Sequence, residues 1–213
     1  MLPLTPTGPT ARSWLAPLRC LRRWARAREG VAAVEFAVIL PTMMFMYLGM
    51  TEVTVMVGTS RKLEIAARTV GDLTGRARTM NATDMGSVMA AARAVMTPYL
   101  TQNLSIVVAS VNVTRDTNTG TATGAVGWSC SWTAGAVGRG LTAGAPIPVP
   151  AGYEGAQSFI LTRVEMPYRP VFGTDFLAKI NPSLIDKKLG LELPWLVRDT
   201  GTVTWTGPNP SGC

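Results

Sequence analysis

The 213-residue chain is 47% hydrophobic and only 15% charged, with 20 Lys and Arg against 13 Asp and Glu and no histidine. That length holds one membrane segment and one globular domain of roughly 100 to 150 residues, which excludes a large multidomain enzyme. The missing histidine removes the usual general base and the common zinc ligands. With no phosphate-binding glycine loop and no nucleophile elbow, the sequence predicts no catalytic residues, no cofactor and no metal site.

The charge belongs to one end. Residues 1–30 carry Arg12, Arg19, Arg22, Arg23, Arg26 and Arg28 against Glu29, a charge of +5, and leave +2 for everything after them. The excess reads as a membrane-topology signal and not as a nucleic-acid surface, so no nucleic-acid partner is expected. An apolar stretch follows from Val31 to about Val57. As a helix rising ~1.5 Å per residue it is roughly 40 Å long, enough to cross the hydrocarbon once and emerge. The arrangement predicts a cytoplasmic basic leader at 1–30, a transmembrane helix at 31–57 and an extracytoplasmic domain at 58–213. A secretory signal has an apolar region of about 7 to 15 residues with a small-residue site after it. Here the run is longer and the small residue, Gly30, precedes it.

Glu35 is the anomaly in this stretch. An ionised carboxylate at bilayer depth costs roughly 2.5 to 3.5 kcal/mol on insertion scales, so it needs a partner or a route to water. The string REGVAAVEFAVILP, with a basic leader ending at Gly30 and a glutamate five residues on, resembles the prepilin-peptidase site of type IV pilins and pseudopilins, in which cleavage follows the glycine. The wider string EGVAAVEFAVILPTMMFMYLGMTEV resembles the TadE-like minor pseudopilins of the tight-adherence (Tad or Flp, type IVb) pilus. Their helix reads Gly-x-x-x-x-Glu-Phe, then a proline, then a second glutamate; Pro41 and Glu52 take those places. The likeness covers about residues 27–62. Many members close on an arginine-rich strand, where this sequence reads GTVTWTGPNPSGC.

The resemblance implies a pilin-like α+β fold, a long N-terminal transmembrane helix packed on a small, mainly antiparallel sheet. It implies cleavage by prepilin peptidase between Gly30 and Val31, and a single pass of the inner membrane with the domain in the periplasm or carried into the pilus. Its implied partners are other Tad pilins and pseudopilins, met through the N-terminal helix, and the Tad assembly platform. Cleavage would expose an α-amine on Val31 one helical turn from Glu35, which the carboxylate could pair in its own or a neighbouring subunit. The other reading of Glu35 is that it snorkels to the near interface. Glu52, about 26 Å further along the helix, is an interface candidate expected to be solvated. Pro41 lacks an amide hydrogen and is expected either to kink the helix or to be tolerated without a role. A different class of reading keeps the leader and makes the chain a signal-anchored periplasmic binding or hydrolytic envelope domain.

Past the span, residues 59–74 keep a helical pattern through Leu63, Ile65, Ala66, Val70 and Leu73, with Gly71 as a candidate break. Asn81 or Thr83 is placed to cap a second helix, 85–100, whose apolar stripe includes Met85, Val88, Met89, Ala92, Val95 and Met96; its methionines read as core packing. Residues 104–114, 121–133 and 158–168 are β-rich runs, and 201–207 is a fourth candidate strand. The connection 134–155, rich in glycine, alanine and proline, reads as an excursion or loop, and 176–196 as short helical turns broken by Pro182 and Gly190. Cys20 lies in the leader. Cys130 and Cys213 would both reach an oxidising compartment, either as a disulfide worth roughly 4 kcal/mol or with Cys130 as a buried lone thiol. Trp128, Trp132, Trp195 and Trp205 read either as core aromatics or as a partner-binding patch, and the scattered carboxylates as surface groups.

Overall fold

Leu63, Ala66, Ala67 and Val70 recur at helical spacing and all lie in the core. They belong to a 46-residue helix, α1 (Val31–Arg76). The computed structural model describes residues 30–99, 102–133, 135–170, 174, 179, 187–199, 201–209 and 212–213. Residues 1–29, Cys20 among them, and most of 171–186 lie outside those residues. The chain divides into two units, Met1–Gly49 and Met50–Cys213.

In the first unit the described chain is Gly30 and the opening turns of α1. Its apolar side chains are bare: Phe36, Phe45, Met46 and Tyr47 are 62% to 73% exposed. The helix runs unbroken through Pro41. By length and composition α1 can cross a membrane.

In the second unit α1 is followed by β1 (Thr79–Met80) and α2 (Ala82–Met96). Asn81 caps α2: its side chain accepts hydrogen bonds from the Thr83 and Asp84 amides, filling donors a helix start leaves open. The strands are β2 (Ser105–Arg115), β3 (Ala122–Thr133), β4 (Ala136–Arg139), β5 (Pro146–Ile147), β6 (Ser158–Tyr168), β7 (Lys187–Leu196) and β8 (Thr204–Trp205). The main sheet is ordered β4-β3-β2-β6-β7, with β5 also on β3, and every pairing in it is antiparallel. The second half of α1 lies with α2 on one face of it, which makes this an α+β fold with a long N-terminal apolar helix on a mostly antiparallel sheet.

Three expectations are corrected here. Residues 187–196 are a strand and not helical turns: Leu189, Leu191, Leu193 and Trp195 alternate toward α1, and Pro194 is accommodated because β7 is outermost in the strand order. The run 201–207 contributes only β8, which pairs in parallel with β1 outside the main sheet. Residues 134–155 are an ordered excursion that carries β4 and β5. Gly71 does not break α1. A Cβ there would lie 3.3 Å from Trp195 Cβ, and one on Gly75 would lie 3.0 Å from Trp195 Cδ1, so these glycines let β7 approach the helix.

A bulge divides the burial between the two faces. Ser110 pairs with Trp128 but Val111 pairs with Val126, so Gly127 is left over and the side-chain alternation of β3 reverses there. Trp128, Cys130 and Trp132 point into the core beneath the helices, whereas Val126 joins Ala109, Val111, Phe159 and Leu161 in a second cluster packed against Leu141, Ile147, Val149 and Tyr153.

Candidate assembly and anchoring site

Gly30 stands immediately before α1. Among the described residues nothing lies within 4 Å of the position its Cβ would take, and no left-handed backbone angle demands a glycine. Val31, 54% exposed, opens the helix, and Glu35 follows one turn later, also exposed. The described fold therefore gives Gly30 and Glu35 no packing task.

Glu52 is placed differently from the solvated position its sequence predicts. It is half-buried, because the end of β6 meets α1 at this level, and the Tyr168 hydroxyl donates to the Glu52 carboxylate and, at 3.3 Å, approaches its backbone carbonyl. Burial, and then the adjacent Glu52 carboxylate, hold the Tyr168 hydroxyl above its ordinary value of 10.0, so it remains a donor at neutral pH. A carboxylate in a half-dry site is stabilised by such a charge-assisted bond. The sheet thus reaches α1 at Glu52, before the boundary at 57 that hydropathy alone sets.

The family model described as TadE-like protein matches residues 30–72. The chain carries a TadE-like segment. No curated protein and no solved structure matches the chain. The TadE-like segment opens at Gly30, includes Glu35, Pro41 and Glu52, and closes at Asp72, so it lies almost wholly within α1.

Within the TadE-like segment, Lys62 ties α1 to α2. Its Nζ donates to the Val95 and Thr97 carbonyls at 3.1 and 2.8 Å, satisfying groups that the end of α2 leaves open. Tyr168 and Lys62 both escaped the sequence reading. Glu52 and Tyr168 are 116 residues apart, and no local pattern marks such a pair.

Beyond the TadE-like segment, Cys130 and Cys213 form a disulfide with a Cα–Cα distance of 4.9 Å. Gly212 sits beside Ser129 of β3, where a Cβ would fall 2.1 Å from the Ser129 carbonyl oxygen; its φ of +114° also favours glycine. Trp128 donates its indole N–H to Val203 at 2.7 Å and lies 5.3 Å from the Trp205 ring, which fixes β8 over the core. Among the described residues no three of His, Cys, Asp and Glu gather as a metal site.

Proposed function

We propose that the chain is a minor pseudopilin, a structural and non-enzymatic component needed to assemble a Tad (type IVb) pilus. Prepilin peptidase cuts after Gly30. The helix beginning at Val31 crosses the inner membrane once, with the leader cytoplasmic and the domain periplasmic, and packs beside the helices of other Tad pilins and pseudopilins on the assembly platform. The observation that carries this reading is the TadE-like match, which starts at Gly30 and takes in Glu35. Two structural facts support it. Among the described residues nothing lies within 4 Å of a Cβ placed on Gly30, and the first unit's stretch of α1 has a long row of exposed apolar side chains. Glu35 has its natural counter-charge in the α-amine that cleavage creates on Val31, in the same subunit or the next.

The test is the intact mass and N-terminal sequence of the membrane-extracted protein from its own host. A chain starting at Val31 is the expected result. A chain starting at Met1 would overturn the processing step and favour the signal-anchored envelope domain with its leader retained.

A further inference from the structure

A groove of about 340 Å³ opens beside α1 where the sheet first reaches it. Val55 of α1 lines it together with Tyr99, Met166 and Pro167, and the exposed Asn103 and Arg169 also line it. The volume is at the lower end of the range in which proteins hold small ligands, and the lining is mostly apolar. Two further observations choose the occupant. Val55 itself belongs to the apolar stretch of α1, so the groove has one of its lining residues on the last apolar turns of the span. Arg169 is exposed and enters no ion pair among the described residues. An apolar slot at the edge of a span, with a free guanidinium at its mouth, matches a molecule with an acyl chain and a phosphate.

We propose that this groove holds one membrane phospholipid, its acyl chain along Val55, Met166 and Pro167 and its phosphate on Arg169. The inference rests on α1 being a membrane helix and is independent of cleavage at Gly30.

The experiment is native mass spectrometry of the full-length chain in detergent, titrated with phosphatidylglycerol or with diacylglycerol of the same acyl composition. One retained phosphatidylglycerol, with weaker retention of diacylglycerol, is expected. Arg169→Glu should lower retention roughly tenfold, the scale of a lost charge-assisted contact. Asn103→Trp, an exposed lining position whose ring would enter the slot, should abolish it. No retained lipid, or equal retention in both variants, would overturn the proposal and leave only lipid bound along the bare helix. Alkaline extraction of membranes separates the two readings. A chain released by alkali removes the span itself, whereas a chain that stays but retains no lipid removes only the groove's occupant.

Discussion

Cys213→Ala opens the cross-link between residues 83 apart in sequence while leaving the Cys130 thiol buried in its place, where a free cysteine behaves as a small apolar group. In the chain-entropy account, closing a loop of that length removes about 15 cal/mol/K from the unfolded ensemble, or about 4.5 kcal/mol at 25 °C. That is a large share of the 5–15 kcal/mol that stabilises a typical domain. With a urea slope of about 2 kcal/mol per molar, the unfolding midpoint should fall by about 2 M. The assay is urea unfolding of the full-length chain in detergent, followed by tryptophan fluorescence, since Trp128 and Trp205 are in contact only in the folded domain. The same shift should appear when the wild type is unfolded under reductant. A loss below about 1 kcal/mol in both experiments would refute the reasoning: the contacts at Gly212 and Trp128 would then be holding this segment without the bridge.

Gly75→Val should cost about 1–3 kcal/mol, read as a lower unfolding midpoint, because Trp195 and the Leu196 carbonyl already stand 3.0 and 3.1 Å from where the Cβ would go. Gly86→Ala on α2 should raise stability by about 0.5–1 kcal/mol in the same measurement, since nothing lies within 4 Å of its added methyl and alanine favours the helix. Tyr168→Phe strips the donor from Glu52 and should destabilise by about 1–3 kcal/mol. It should also change the alkaline limb of the stability profile: with the folded-state value raised above 10, the Tyr168 contribution is complete below pH 10 and declines as pH rises past it, so the wild type should lose more stability than Tyr168→Phe between pH 9 and higher values. For processing, Gly30→Phe should leave full-length precursor on an immunoblot, whereas Glu35→Ala should be cut normally and fail to enter pili.

The legible parts of the fold are those set by a single period. Residues 63 to 70 and 85 to 96 are helical at sight, and the runs ending in β2, β3 and β6 alternate as strands should. β7 was hidden although Leu189, Leu191, Leu193 and Trp195 alternate perfectly well, because Gly190 and Pro194 are breakers in most contexts and are tolerated here by the strand's outer position. β8 was overestimated for the opposite reason: its alternating Val203 and Trp205 are spent on covering Trp128 and not on extending a sheet. At the site, Gly30, Glu35, Pro41 and Glu52 stand out because each breaks the local composition. What Glu52 touches is a product of the tertiary fold, and a hydropathy window has no access to it.

The parallel pair of β1 and β8 has a consequence in time. Met80 registers against Trp205, a residue made 125 positions later. At about 5–20 residues per second the ribosome needs roughly 6 to 25 s to supply that partner. For the last part of that interval, once β3 has been made, Trp128 lacks its cover, so the growing domain carries an open seam. Anything that binds exposed aromatic surface on a nascent chain can meet this protein at that seam.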